Sequence, residues 1–504
     1  MPESLVGLLD AQIQSDGKIG KRTYQSISDA SLRLSSFLKA HDVQVGDRIM
    51  LWGANSPQWV ISYFAGLRAG AAIVPFDLNR DPAFLGRIAE ATKPRFIIAG
   101  EAQRNSLPSG NSIPVLDMEQ VDKIAEEGNH QIEVDTKGGD IAEIVFTSGT
   151  TGNPKGVVLT HGNILSNVES IKSLKLIRPD HRLLSILPLS HMFETTGGLL
   201  TPMASGASIV YADSLQPNRL LSTMLDERIT CMAVVPQVLA LFKKGVEQQA
   251  ATAGREKLFS SLLRFSPFLP EVIRRIMFHS IYERMGKQFE FFVCGGAKLD
   301  PAVADFWENL GIKVLQGYGM TEASPVVTCD TMSSRDHRYV GRLLPGVEVR
   351  VADDGEVLVK GPNVMRGYWN NPSASVQALE EGWYHSGDLG VLENGRLKLM
   401  GRKGNMIVLA NGFNVYPEDI EEVLSQQGIR EAVVFLKESS GKEELHAVLL
   451  MGESSEDPQV LIRAANKRLS AHQRISGWTV WKGEDFPRTH TLKAKRQEII
   501  STLI

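Results

Sequence analysis

The densest chemistry in the chain lies in ten consecutive residues, Thr147-Ser-Gly-Thr-Thr-Gly-Asn-Pro-Lys-Gly156, directly after the apolar run IAEIVF. Gly149 and Gly152 let backbone N–H groups approach phosphate oxygens. Thr147, Ser148, Thr150 and Thr151 add hydroxyl donors, and Lys155 adds a compact positive charge. Such a segment is built to wrap an anion, whereas a solvated flexible loop needs no such combination. It is not a Walker A loop. Pro154 precedes the lysine where that motif needs Gly, and Gly156 follows where it needs Ser or Thr. A second candidate is Glu322, which closes the run QGYGMTE at a strand end. A carboxylate there suits a magnesium ion bridging phosphate oxygens, because Mg²⁺ accepts one or two protein carboxylates together with phosphates and water.

TSGTTGNPKG resembles the phosphate-loop signature of the adenylate-forming superfamily, which takes in acyl-CoA synthetases, firefly-luciferase-like enzymes and peptide-synthetase adenylation domains. Further blocks follow in the superfamily's order: LPLSHMFE (Leu187 to Glu194), VCGGAKLDP, QGYGMTE, MRGYWNNP, WYHSGDLG, GRKGNMIVLANGFNVYPEDIE and FPRTHTLKAKR. Any one of these is weak, but eight in order over nearly the whole chain are not a chance pattern. The wording of NGFNVYPEDIE and PRTHTLKAKR is most similar to the long-chain fatty acid-CoA ligases. The resemblance implies that a carboxylic acid, a medium- or long-chain fatty acid, is converted by ATP to acyl-AMP with release of pyrophosphate. Coenzyme A then takes the acyl group and AMP leaves.

The same resemblance implies roles residue by residue. Thr147, Ser148, Gly149, Thr150, Thr151, Gly152 and Lys155 hold the nucleotide phosphates, and Gly295, Gly296 and Ala297 form a flat, side-chain-poor wall for the adenine. Gln316, Gly317, Tyr318, Gly319, Met320 and Thr321 surround the nucleotide, with Tyr318 stacking near the base, and Glu322 holds Mg²⁺. Asp388 is a short acceptor suited to two ribose hydroxyls, and Arg402 resembles a ribose or phosphate contact at a hinge. A turn acid and a solvated linker arginine are the plainer readings of those two. His191, beside Phe193, offers one polar and one flat surface that could steer the acyl group or gate its pocket together with Gly319; a structural histidine is the rival reading. Lys493 resembles the adenylation lysine, although without the family KAKR would read as a solvated basic tail. Thr147, His191, Glu322 and Lys493 are thus the candidate catalytic set. Two departures stand out: Gly404 and Asn405 occupy hinge positions that usually carry charge, and Leu492 replaces a glycine often found before the lysine.

The reaction requires little proton chemistry. A carboxylic acid with a pKa near ~4 is already ionised at neutral pH, so attack on the α-phosphorus needs no general base. The requirements are in-line positioning, compensation of negative charge and exclusion of water. Because Lys493 would sit in a small C-terminal domain, that domain must close over the large one for adenylation and rotate away to admit a thiol.

The elements that must position these residues read as α/β. From Arg48 to Asp77 the chain runs RIMLW, then the helix-compatible PQWVISYFAGLRAG, then AAIVPF, a βαβ pattern. It recurs where FEFFVCGG leads to a helix opened by Pro301 and closed by Gly311, followed by IKVLQGYG. In parallel sheets ligands bind beyond the carboxyl ends of strands, where Gly295, Gly296 and the run from Gly317 to Glu322 would lie. After about Val340 short strands punctuated by Gly, Asp and Asn predict a β subdomain. Beyond Gly401 a compact α+β domain follows, with a helix over Pro417–Gln427 ended by Gly428. The expected architecture is therefore a large N-terminal region of stacked mixed sheets with helices over residues 1–401, its β subdomain over about 340–401, and a small mobile α+β domain over 402–504.

Composition bounds the partners. The 504 residues carry 54 basic and 58 acidic side chains, a formal charge of −4, so no global basic field draws the chain to nucleic acid. Cys231, Cys294 and Cys329 lack metal-ligand spacing and read as reduced core thiols. No signal-like N-terminus or apolar stretch of about 18 residues occurs, which points to the cytoplasm, with contact at the inner face of a membrane as an addition. Residues 254–290 carry seven Lys or Arg against four Glu among LFSSLL, FSPFLP and VIRRIMF. This basic amphipathic stretch could lie on an anionic membrane, or simply be a helix pair packed on the large domain. Two rival functions share the blocks: transfer of the acyl group to a carrier-protein phosphopantetheine, and a non-catalytic acyl or nucleotide-binding protein.

Overall fold

Apolar runs flanked by caps become strands and helices where the sequence places them. A computed structural model describes residues 2–78, 82–107, 110–126, 135–147, 154–409, 414–439, 442–452, 456–489 and 494–502. The chain forms two compact units, Met1–Val349 with Val359–Tyr384, and Arg350–Leu358 with His385–Ile504.

In the first unit, one mixed sheet has the order Gly367–Tyr368, Lys155–Thr160, Ile141–Thr147, Ala72–Pro75, Arg48–Trp52, Phe96–Ala99 and Val115–Asp117. The inner strands pair in parallel, and Lys155–Thr160 runs antiparallel to both Ile141–Thr147 and Gly367–Tyr368. Between the first two parallel strands, Ser56 caps the helix Pro57–Arg68 by accepting from the Trp59 amide, and Pro57 occupies the first turn. Every residue from Trp59 to Leu67 is buried, so this helix is apolar all round because it is interior. Gly66 is where it meets the sheet: a Cβ there would stand 2.5 Å from Ile73 Cδ1.

A second sheet in this unit runs Arg342–Leu343, Val326–Cys329, Lys313–Gly319, Phe291–Cys294, Cys231–Val234, Arg182–Ser185, Ser208–Tyr211, Lys18–Ile19 and Arg22–Thr23. Its central strands are parallel, and Lys313–Gly319 is where parallel pairing gives way to antiparallel. The helix Pro301–Leu310 has the expected ends: Asp300 accepts from the Ala302 amide, and Gly311 takes the left-handed conformation at φ 88°. Trp307 from this helix meets Phe292 of the sheet edge to face, and Phe306 packs edge to face on Trp307. All three cysteines are buried and free. Burial pushes the Cys231 and Cys329 thiols up to about 12, which suits core side chains and not nucleophiles.

In the second unit, Tyr384–Glu393 and Arg396–Arg402 form a hairpin with Asp388 opposite Arg402. The strands Glu431–Ser439, Lys442–Leu450 and Gly477–Val480 make a sheet. The helices Pro417–Gln426 and Pro458–Arg468 cover it through Ile420, Leu424, Leu461, Ile462 and Ala465. The stretch 340–401 is shared between the units. Residues 350–358 belong with the hairpin because Ser386 Oγ donates to the Val357 carbonyl (2.6 Å) and the Gly390 amide donates to that of Gly355 (3.0 Å).

Candidate active site

The block LPLSHMFE is held by a half-buried amide. Asn55 Nδ2 donates to Ser185 Oγ (3.2 Å) and the Leu187 carbonyl (2.7 Å), while its Oδ1 accepts from the Leu189 amide (2.8 Å). The loop so fixed presents His191, whose Nε2 lies 2.6 Å from Asp77 Oδ2. Asp77 is buried and ends the βαβ unit, and its carboxylate orients the imidazole. From Phe193 to Leu200 the chain is wound as a π-helix, a rare form that tends to mark functional positions. The Phe193 ring lies against two glycines, so that a Cβ at Gly295 would stand 3.4 Å from Cζ and one at Gly197 3.6 Å from Cε2.

Beyond the strand Lys313–Gly319 the backbone turns so tightly that a Cβ at Gly319 would stand 1.9 Å from the Pro325 carbonyl oxygen, which only glycine permits. The Met320 amide donates to that same oxygen (2.8 Å), and Thr321–Ala323 forms a 3₁₀ turn carrying Glu322. Side chains pin this turn: Asn363 Nδ2 donates to the Ala323 carbonyl (2.8 Å) and Thr196 Oγ1 to that of Ser324 (2.9 Å). Glu322 is fixed at both ends. Its carbonyl accepts from the Met365 amide (2.8 Å) and its carboxylate from the Tyr368 hydroxyl (3.0 Å). Lys155 Nζ lies 5.0 Å from the centroid of the same Tyr368 ring. Burial, with the Glu322 charge and hydrogen bond added, pushes the phenol well above its ordinary range, so it stays a donor. Thr147 pairs directly opposite Lys155 across the hairpin. Gln316 and Tyr318 are buried on the adjoining strand, and the Gln316 amide oxygen has no hydrogen-bond partner among the described residues.

In the second unit, Asp388 is buried and accepts from Arg402 Nε at 2.7 Å, while its amide donates to Ser386 Oγ (3.0 Å). The two residues expected to meet a ribose therefore meet each other. Lys403 Nζ follows with contacts to Asp354 (2.6 Å) and Glu356 (2.9 Å). Burial alone would raise Glu356, but Lys403, the Gly387 amide and His385 together hold it below the usual carboxylate range. Gly404 lies in a 3₁₀ turn with an ordinary φ and open space around it, so nothing local requires glycine. Asn405 Nδ2 donates to Glu418 Oε1 (2.8 Å), and the charged contact missing from positions 404 and 405 is supplied one residue earlier by Lys403.

A profile described as AMP-binding enzyme matches residues 9–369. The chain belongs to the AMP-binding enzyme family. Among relatives of this AMP-binding enzyme, the long-chain-fatty-acid–CoA ligase FadD15 of Mycobacterium bovis is 29% identical over 419 residues, 76% of this chain and 69% of that protein. The medium-chain fatty-acid–CoA ligase of Escherichia coli is 30% identical over 439 residues, 80% of this chain and 71% of that one. A crystal structure of ATP-bound MatB from Rhodopseudomonas palustris superposes with a TM-score of 0.83 at 24% identity, covering 100% of this chain and 99% of that one, which shows the shared fold.

Of the residues read from the AMP-binding enzyme's sequence, Thr147, Lys155 and Glu322 share one neighbourhood of the first unit, as do Phe193, Gly295 and Gly317. Gly296 follows at φ 81° and Ala297 after it. Ser148, Gly149, Thr150, Thr151, Gly152 and Lys493 lie outside the described residues. Sequence reasoning missed Tyr368 and Asp77. The first was visible only as part of MRGYWNNP, and the second as a lone acid after a strand. It also missed Glu194, buried next to the histidine loop with a carboxyl that burial pushes up to about 8 against the Ser185 hydroxyl and the Leu187 amide.

Proposed function

We propose that this AMP-binding enzyme activates a medium- or long-chain fatty acid: acid and ATP give acyl-AMP and pyrophosphate, and coenzyme A then gives acyl-CoA and AMP. The observation that carries this reading is the placement of Lys155 and the Glu322 carboxylate on one phenol, at the base of the phosphate-type loop. A cation there meets phosphate oxygens, and a carboxylate there meets the metal that accompanies them. Among the described residues no group of three or more His, Cys, Asp or Glu could hold a metal ion, so Glu322 would hold Mg²⁺ jointly with phosphates. Bound there, the ion would offset phosphate charge.

The chain's own groups then divide the work. Thr147, Ser148, Gly149, Thr150, Thr151, Gly152 and Lys155 bind the phosphates. Gln316 to Thr321, with Gly295, Gly296 and Ala297, receive the base, Tyr318 stacking on it. Asp388 takes the ribose hydroxyls and Arg402 a ribose or phosphate oxygen. His191, oriented by Asp77, and Phe193 steer the carboxylate and its chain past Gly319. Lys493 offsets charge that develops between carboxylate and α-phosphate, and the C-terminal residues 402–504 rotate about Gly404 between the two half-reactions. The acid class is supported by the curated relatives, whose names specify medium- and long-chain fatty acids.

The test is AMP formation from ATP and Mg²⁺ with acids from acetate to oleate, plus benzoate, each with and without CoA. The expected outcome is AMP release that needs both a fatty acid and CoA and peaks at a medium or long chain. Pyrophosphate exchange that CoA does not advance would point to a carrier-protein acceptor, and no turnover with any acid would leave a binding protein.

A further inference from the structure

Three consecutive elements, Glu256–Phe265, Ser266–Phe268 and Glu271–Met277, all pack against the helix Pro301–Leu310. Their inner side chains, Phe259, Leu262, Leu263 and Met277, join the core around Phe278, Phe306 and Trp307. Arg274 locks the connection by donating to the carbonyls of Pro267, Leu269 and Glu308. The platform is therefore built, with its backbone held and its inner face satisfied.

Its outer face is not apolar by accident of one residue. Leu258, Phe265, Phe268, Val272, Ile273 and Ile276 are exposed by 58, 66, 85, 68, 45 and 68%. Phe268, the most exposed, stands at the turn between the two helices, so the apolar surface projects outward instead of forming a groove. Along Glu256–Phe265, Leu258 and Phe265 are seven residues apart on one stripe, and Lys257 and Arg264 make the neighbouring stripe with the same spacing. Arg255, Lys257 and Arg264 are exposed and form no ion pair among the described residues, whereas the acid Glu271 is neutralised by Lys313 at 2.7 Å. A soluble surface rarely carries so many large apolar side chains together, and a rim of unpaired cations beside them complements an anionic surface. Among the described residues no helix is long and apolar enough to cross a membrane, so attachment would be from one side.

We propose that the face formed by Glu256–Met277 is a membrane-docking surface, on which Phe265, Phe268, Val272 and Ile276 enter the acyl boundary of a bilayer while Lys257 and Arg264 meet anionic headgroups. The test is sedimentation of the full chain with vesicles of phosphatidylcholine containing about one third phosphatidylglycerol. Wild type is expected to bind, and binding should fall at least tenfold in the pair Phe268→Glu with Ile276→Glu. Lys257→Glu with Arg264→Glu should abolish the advantage of anionic over purely zwitterionic vesicles. Adenylation of a short, water-soluble acid reports that each variant is folded. Wild type that ignores vesicles, or variants that bind as well as wild type, overturn the proposal. So does a wild-type dimer in light scattering that the Phe268→Glu pair converts to monomer without any vesicle binding, since the face would then join two copies of the chain.

Discussion

Lys155 and Glu322, opposite in charge and far apart in sequence, share the Tyr368 phenol: the ring faces the ammonium and the hydroxyl donates to the carboxylate. A hydrogen bond to a charged acceptor contributes about 1.5–3 kcal/mol, enough to fix which way a carboxylate points. Tyr368→Phe keeps the ring for Lys155 and removes only the donor. We expect kcat/KM for ATP to fall about 10- to 100-fold, and half-maximal activity to need more Mg²⁺, with little change in thermal stability. A purely structural tyrosine would leave the Mg²⁺ dependence where it was. The two charged residues were legible in sequence because phosphate chemistry demands their types at those positions. Tyr368 was not, since a tyrosine among Gly, Trp and Asn announces no chemistry. Asp77 was hidden for a related reason: nothing local to it signals a histidine 114 residues away.

At the scale of elements, the helices that declare their ends were readable and the one that does not was missed. Pro301–Leu310 and Pro417–Gln426 begin with Pro and end against Gly311 and Gly428, both at positive φ. Phe193–Leu200 has no such punctuation, and its π winding arises from tertiary packing that a local pattern does not encode. Within it Glu194 is fully buried, its carboxyl so near Gly198 that a Cβ there would stand 2.2 Å from Oε1. Desolvation raises this carboxyl from an ordinary 4.5 to about 8. The folded chain thus keeps a proton there that the unfolded chain loses, and the associated stability is complete below pH 4.5 and lost as pH rises towards 8. Glu194→Gln lacks that loss. In paired denaturation curves the variant should gain on wild type between pH 5 and 9 by a few kcal/mol in order of magnitude, with the difference vanishing at the acid end. A difference independent of pH would mean that Glu194 is charged in the folded state.

At the scale of the molecule, the α/β class follows from the alternation of apolar strands with capped helices along the sequence. Which short strands associate is decided elsewhere: the hydroxyl of Ser386 and the ammonium of Lys403 tie 350–358 to the second unit, and neither contact has a sequence signature. The consequence for catalysis lies with Lys493. In the proposed reaction the carboxylate attacks already ionised, so a lysine would have no proton to move in the first half-reaction and would act only on developing charge. Thiol attack on acyl-AMP expels AMP, whose phosphate gains charge as it leaves, but in the proposed cycle the domain carrying Lys493 has by then rotated away and the lysine is not there to offset it. Lys493→Ala should therefore slow acyl-AMP formation from fatty acid and ATP by about 100- to 1,000-fold, while thioester formation from supplied acyl-AMP and CoA stays within a few-fold of wild type. Measuring both steps on one preparation separates the possibilities. Equal losses would place the lysine in both half-reactions and remove the reason for residues 402–504 to rotate between them.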